Sequence, residues 1–389
     1  MDKKSIPFFY PFNSGVESSG KQKPHKLPEE TTVVVAMSGG VDSSVVAALL
    51  KHLGYNVIGM TLQLYDNNGV ASKSTKSCCG IKDIHDARDV AAKIGIPHYV
   101  VNKESVFKEF VMDRFADDYL SGITPVPCIR CNQTVKFTEL LGMAKDVSAD
   151  FMATGHYVNR LQVNGKAELH KALDPTKDQS YFLFATTQEQ LEDIIFPLGN
   201  TNKAEVRKLA KYFGLSISDK KDSQDICFVP DGNYAEVVKK IRPSTIQSGD
   251  IIHVETGQKL GTHNGLINYT VGQRRGINVS HAKPLYVTKM NFETQTLYVG
   301  EEENLYTDEF EIEELNVLDD IIFDEKHIND DSVVMVCIRA LKPLIPAHIV
   351  RTGNQTAKVK LLEKGRAITK GQACVAYVGS RVVGGGIIS

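Results

Sequence analysis

Three thiols and one glycine turn carry the chemistry that this sequence offers first. Cys128 and Cys131 stand in Thr124-Pro-Val-Pro-Cys-Ile-Arg-Cys-Asn-Gln-Thr-Val-Lys-Phe137, just ahead of a helix predicted from Asn132 to Lys145. Cys227 follows much later, in Asp222-Ser-Gln-Asp-Ile-Cys-Phe228. A thiolate is a strong nucleophile and can carry sulfur, and a helix N-terminus or a nearby lysine, here Lys136, favours the ionised form. Two other readings stay open. A structural zinc site wants four ligands and would need Cys78-Cys79 to complete it. Ordinary burial is the other, and it suits Cys337 and Cys374, which fall on strand-like stretches.

The turn is Ser38-Gly-Gly-Val-Asp-Ser43. Val33 to Met37 ahead of it is apolar throughout, as in a buried parallel strand, and Val46, Leu49, Leu50 and Leu53 behind it share one helix face. Strand, glycine turn and helix start together make a phosphate site, because glycine lets backbone N–H groups approach an anion that the helix dipole attracts. No lysine follows the glycines as in Gly-x-x-x-x-Gly-Lys-Ser/Thr loops, and there is no Gly-x-Gly-x-x-Gly of a dinucleotide fold. The six residues resemble instead the pyrophosphate loop of the ATP pyrophosphatases.

The elements that must position these groups alternate. Strands are predicted over residues 55–64, 96–102 and 149–156, and helices from Asp83 to Gly95 and from Phe107 to Leu120. Repeated strand–helix units predict a Rossmann-like, doubly wound parallel α/β sheet with its ligand at the carboxyl ends of strands. Leu62 and Gly155 fall at such ends.

The chain of 389 residues, 42% hydrophobic, is long enough for two or three domains. A net charge of −2 excludes a globally basic nucleic-acid binder, so any RNA contact must be local. No stretch is apolar and long enough to span a bilayer, which predicts no membrane partner. Residues 1–30, rich in Lys, Ser, Pro and Glu and without Arg, fit neither a signal nor a transit peptide and are read as a disordered extension. Seven cysteines without a signal peptide point to reduced thiols and a cytoplasmic setting.

Further motifs make the likeness specific. Cys131-Asn-x-x-x-Lys-Phe137, Ala153-Thr-Gly-His-Tyr157, Lys177-Asp-Gln-Ser-Tyr-Phe-Leu183, Asp222-Ser-x-x-Ile-Cys-Phe228 and Tyr269-Thr-x-Gly-Gln-Arg-x-Gly276 follow the loop in one order. Together they resemble the tRNA-specific 2-thiouridylases over the whole chain from about residue 31. The resemblance implies ATP-dependent transfer of sulfur to C2 of the wobble uridine. ATP would lie on Ala36, Met37, Ser38, Gly39, Gly40, Val41, Asp42 and Ser43, with Leu62 and Gly155 lining it. Mg²⁺ would neutralise the departing phosphates, Asp42 serving as ligand or orienter.

On the same resemblance Cys227 matches the persulfide carrier and Cys131 the nucleophile that releases the sulfur, leaving a Cys131–Cys227 disulfide to be reduced. The sulfur would come from a cysteine desulfurase or a relay protein. The tRNA anticodon arm would meet Val126, Pro127, Cys128, His156, Lys177, Asp178, Gln179, Arg339, Ala340 and Gln372. The sequence departs from the family at Val126-Pro127-Cys128, where relatives often carry Asn-Pro-Asp, so Cys128 replaces a candidate acid–base group. A second reading stands beside the persulfide: Cys128, Cys131 and Cys227 as ligands of a [4Fe-4S] cluster with an open iron. Lys203, Arg207, Lys208 and Lys211, followed by Lys220 and Lys221, form a stripe that suits either a solvated face or a phosphate-backbone track.

The expected organisation is a catalytic domain over residues 31–231, a small central domain over 232–306 and a β-barrel over 307–389. The barrel rests on the alternating runs at 333–339, 356–361 and 373–377. Gly384-Gly-Gly386 is expected to interrupt its last strand. Two other functions remain to be weighed: an amidotransferase-type synthetase that adenylates a small metabolite, and a non-enzymatic RNA-binding or redox module. Neither requires both the intact loop and the paired thiols.

Overall fold

The computed structural model describes residues 26–65, 80–220, 226–229, 232–243, 247–319, 323 and 333–389. Cys78, Cys79, Lys221 and residues 222–225 of the Cys227 motif lie outside them, as does most of the expected extension. Its last residues are structured: Pro28–Glu30 forms a 3-10 turn, and Lys26 Nζ bonds Asp150 Oδ1 at 2.6 Å. The described residues group into two compact units. The first holds the chain up to Phe110, Cys128–Gly232 and Ser380–Val382; the second holds Val111–Pro127, Asn233–Gly379 and Val383–Ser389.

The first unit is built on a parallel sheet. Its strands are β1 (Thr32–Ala36), β2 (Asn56–Gln63), β3 (His98–Asn102), β4 (Phe151–Ala153) and, after the hairpin β5 (Val158–Val163) and β6 (Lys166–Lys171), β7 (Ile194–Ile195). The order is β3-β2-β1-β4-β7, with every pairing parallel. Val33, Val34 and Val35 are fully buried, as β-branched residues of a strand covered on both faces should be. Helix α1 (Val41–Leu53) lays Val45, Val46, Leu49 and Leu50 on this core and stops at Gly54. Helix α2 (Ile81–Ile94) ends at Gly95, where φ of +69° is available to glycine at little cost. Each such buried Val or Leu contributes roughly 1.5–3 kcal/mol of transfer free energy. The strand order grows one way through β2 and β3 and the other through β4, so the crevice at the carboxyl ends of β1 and β4 is the switch point where ligands of such sheets bind.

One predicted helix begins elsewhere. Helical backbone starts at Pro127–Arg130, runs as a π-helix over Cys131–Leu140 and continues as Leu141–Asp146. Proline is preorganised for a first helical position, where no N–H is needed, so the start moves ahead of the thiols. Cys128 therefore lies in the first turn, and Cys131 lies beyond it instead of just outside the helix.

In the second unit, β8 (Gly249–His253), β9 (Lys259–His263), β10 (Tyr286–Asn291) and β11 (Thr296–Gly300) form a sheet in the order β10-β11-β8-β9. Strands β12 (Tyr306–Val317), β13 (Val334–Cys337), β14 (Ile345–Arg351), β15 (Thr356–Arg366), β16 (Ala373–Val378) and β17 (Arg381–Ile388) form a six-stranded barrel, closed where β12 pairs with β17. The glycines do not interrupt β17. Val317 pairs with Gly384 and Asn316 with Gly385, and a Cβ on Gly384 would sit 2.6 Å from the Asn316 carbonyl oxygen. The run lets the closing strands approach. Cys337 and Cys374 are buried in this barrel, as ordinary core thiols are. Among the described residues no helix is long and apolar enough to cross a membrane.

Candidate active site

The glycine turn joins the end of β1 to the start of α1. Gly39 has φ of +69°, and a Cβ there would lie 2.1 Å from the Asp83 carbonyl oxygen, so both its conformation and its packing demand glycine. Ser43 Oγ accepts the Ser38 N–H at 3.1 Å and donates to the Gly40 carbonyl at 3.3 Å, which folds the turn back on the helix. Gly155, just past β4, comes so close that a Cβ would meet Ser43 N at 2.7 Å. Ala36, Ser38, Gly40 and Asp42 are partly exposed, while Met37, Gly39, Val41, Ser43 and Leu62 are buried. The first amides of α1 have no carbonyl one turn back, so the turn presents unsatisfied N–H groups and the positive end of the helix. That arrangement grips an anion.

Asp42 is already engaged. Lys203 Nζ bonds its two oxygens at 2.7 and 2.8 Å, and Tyr157 donates its hydroxyl at 2.8 Å. A cation held by Asp42 would have to displace or share with Lys203. The remainder of the predicted basic stripe divides in the same manner. Arg207 donates to the carbonyls of Ser218 and Lys220, and Lys211 pairs with Asp219 at 3.5 Å. Lys220 is half-buried among its partners: Asp83 at 2.6 Å, Asp86 at 2.5 Å and the Gly39 carbonyl at 2.9 Å. Burial works against its charge, but hydrogen bonds to Asp83 and Asp86 outweigh that and hold its pKa above the ordinary lysine value. Of the four helix residues, Lys208 and Lys211 are exposed. The stripe thus splits: Lys203 and Lys220 belong to the loop and Arg207 to the local backbone, while Lys208 and Lys211 face solvent.

Cys131 is 7% exposed, and Cys128 is partly exposed. Behind Cys131, Asn132 donates to the Phe182 carbonyl at 3.2 Å and accepts from Lys136 Nζ at 2.9 Å, fixing the helix that bears the thiol. His156 packs edge-on to Phe137 and bonds Thr154 Oγ1 through Nδ1 at 2.9 Å. Burial, and secondarily the charge of Lys136, pushes its pKa well below the usual histidine value, so its imidazole is neutral near pH 7. Cys227 is partly exposed; its carbonyl accepts from Tyr65 Oη at 3.5 Å, and Phe228 stacks edge-on to Phe107. Cys131 and Cys227 are not joined by a disulfide. Among the described residues no three His, Cys, Asp or Glu side chains converge where they could hold a metal ion.

The expected RNA contacts divide by chemistry. Asp178 accepts from Ala172 N at 2.9 Å and Ser180 Oγ at 2.7 Å, and Gln179 pairs with Tyr157 through both its side chain and its amide. Both shape the segment from within, while Lys177 beside them is partly exposed. In the second unit Arg339 is exposed just after β13, Ala340 beside it is partly exposed, and Gln372 donates to the Thr124 carbonyl at 3.0 Å. Val126 is partly exposed and Pro127 is buried.

Comparison with known proteins fits this arrangement. Three family models match in succession: a tRNA methyl transferase HUP domain over residues 31–231, a tRNA methyl transferase PRC-barrel domain over 235–301 and an aminomethyltransferase β-barrel domain over 308–388. The chain is 54% identical over 361 residues to the tRNA-specific 2-thiouridylase MnmA of Rickettsia rickettsii, covering 93% of this chain and 97% of that one. It is 54% identical over 358 residues to the MnmA of Rickettsia prowazekii, covering 92% and 98%. A 4-thiouridine synthetase solved with RNA and bound ATP aligns at 17% identity and a TM-score of 0.36, over 55% of this chain and 54% of that one, a likeness too slight to argue from.

Proposed function

Because this chain belongs to the tRNA-specific 2-thiouridylase family, we propose that it thiolates C2 of uridine in tRNA, at the wobble position, at the expense of ATP. Near-full-length identity of 54% to named 2-thiouridylases carries the reading, and it leaves the small-metabolite synthetase unfavoured. The thiol pair is what sulfur transfer needs.

ATP binds with its phosphates on residues 36–43, against the first amides of α1, with Leu62 and Gly155 lining the crevice. The cradle fits: Gly39 and Gly155 stand where any side chain would clash with Asp83 or Ser43. Attack of the uracil O2 on the α-phosphorus breaks the bond to pyrophosphate and makes AMP the leaving group at C2. Mg²⁺ would travel chiefly with the phosphate oxygens, Asp42 joining it in exchange for Lys203. The Cys131 thiolate attacks Cys227 Sγ of a Cys227 persulfide, the terminal sulfur departs and adds to C2, and AMP leaves. The resulting Cys131–Cys227 disulfide is reduced by an external thiol before the next turnover. Neither thiol alone can both carry the sulfur and release it.

The persulfide route is the one proposed here, and it needs only the Cys131 and Cys227 thiols and the external reductant. A cysteine desulfurase or a relay protein supplies the persulfide, and the anticodon loop, being single-stranded, lets the target base leave its stack cheaply. The setting is cytoplasmic, and the chain works as a catalytic part (31–231), a central part (232–306) and a barrel (307–389), a division that the spans of the three family models support. The test is nucleoside mass spectrometry of tRNA from a deletion strain. 2-Thiouridine should vanish and return with the wild-type gene; its persistence in the deletion strain would overturn the assignment.

A further inference from the structure

The segment Gly272-Gln-Arg-Arg-Gly276 in the second unit takes no part in the chemistry above. Its backbone is pinned at both ends. Gly272 and Gly276 adopt φ of +85° and +80°, a region that side-chain-bearing residues avoid. The Gly272 N–H bonds the Val287 carbonyl at 2.8 Å, and the Val287 N–H returns to the Gln273 carbonyl at 2.9 Å, so the turn is stitched to β10. The Gln273 side chain closes it, accepting from Thr270 N at 3.0 Å and donating to the Arg275 carbonyl at 2.8 Å. Ile277, next along the chain, is buried in the core beneath.

At the tip of this rigid turn Arg274 and Arg275 are exposed, and neither guanidinium meets a carboxylate, carbonyl or ring among the described residues. Several other cations of the same unit have carboxylate partners: Lys259 has Asp250, Lys283 Glu301, Arg366 Glu302, and Arg242 Asp113 and Asp117. Two like charges consecutive in the chain, with no anionic partner among the described residues, gain nothing for the fold. Preorganised guanidinium forks do match phosphate oxygens two at a time.

We infer that Arg274 and Arg275 form a clasp for the phosphodiester backbone of the tRNA substrate. The inference rests on the tRNA thiolation proposed above. RNA is favoured over an acidic protein because phosphates occur in series along a strand, as the two adjacent forks require, and the chain's net charge of −2 leaves backbone contacts to local clusters such as this.

The test uses the full chain and an unmodified tRNA transcript, with binding measured by fluorescence anisotropy across a salt series. Arg274→Ala/Arg275→Ala should weaken binding about tenfold or more at moderate salt and flatten the log–log salt slope by about 1–2, since each phosphate contact contributes roughly 0.7–0.9. Arg274→Lys/Arg275→Lys should retain most of the slope. ATP affinity should not change in either variant, which also reports that the fold is intact. An unchanged tRNA affinity and slope in the alanine variant would overturn the clasp, as would unchanged tRNA binding with loss of affinity for the sulfur-donor protein, which would mark the pair as a protein dock. Wild-type protein that bound no tRNA would instead sink the underlying functional reading.

Discussion

The Lys220 ammonium lies 2.9 Å from the carbonyl oxygen of Gly39, and Asp83 and Asp86 hold it there from the other side. In a trans peptide the N–H of the next residue points opposite to the carbonyl. Tying back the Gly39 oxygen therefore turns the Gly40 N–H toward the other side of the loop and keeps a repelling oxygen from an approaching phosphate. Lys220 is a positioning residue for the loop, drawn from the chain shortly before Cys227.

Lys220→Met should raise the KM for ATP about 10–100-fold, about 1.4–2.8 kcal/mol of binding, while leaving tRNA affinity intact. Lys220→Arg should recover part of the loss. Steady-state kinetics with ATP varied at saturating tRNA checks this, and an unchanged KM would show that Lys220 serves the fold alone.

Gly155→Ala puts a methyl 2.7 Å from Ser43 N, against backbone that cannot yield without moving the first turn of α1. Overpacking of this kind costs about 1–3 kcal/mol. Calorimetric titration should find ATP binding severely weakened with only a modest fall in melting temperature. Near-normal ATP affinity in this variant would remove Gly155 from the nucleotide crevice.

Cys131→Ser and Cys227→Ser should each abolish thiolation of an anticodon stem-loop in vitro, a loss of at least about 10³ in rate for removing a nucleophile. Both variants should still bind ATP and still form pyrophosphate in the presence of RNA. Mass spectrometry of the RNA and a pyrophosphate assay separate the two steps. Full thiolation by either variant would refute the two-thiol exchange.

The pKa of His156 is lowered in the folded chain by burial first and by Lys136 second. His98 is also lowered, again by burial and then by a cation, Arg88. Below the unfolded value of about 6.5 the unfolded chain binds protons that the native histidines refuse, so stability is full above that pH and falls as the pH drops through it. His156→Gln should flatten this dependence. Urea midpoints from about pH 7.5 to 5 in both proteins are the measurement, and parallel curves would contradict it.

The family's chemistry and the sheet were legible because their signals are local. A run of β-branched residues, a glycine turn and a helix-spaced apolar face announce β1, the loop and α1 within a few residues, and thiols declare themselves by type. The Cys131 helix starts at Pro127, ahead of the thiols, because proline needs no N–H partner in a first turn. The glycines of β17 looked like an interruption because the strand they approach, β12, lies far away in the sequence.

What the sequence by itself determined was which residues can grip phosphate and which can move sulfur, since composition and short-range spacing decide those capacities. Only the tertiary structure decided where the cations go. Lys203 and Asp42 are 161 residues apart, and Lys220 and Gly39 are 181 apart. A charge stripe on a helix looks the same in sequence whether it faces water or a carboxylate from a distant part of the chain. The choice is made by folding, when desolvation makes a distant partner worth finding.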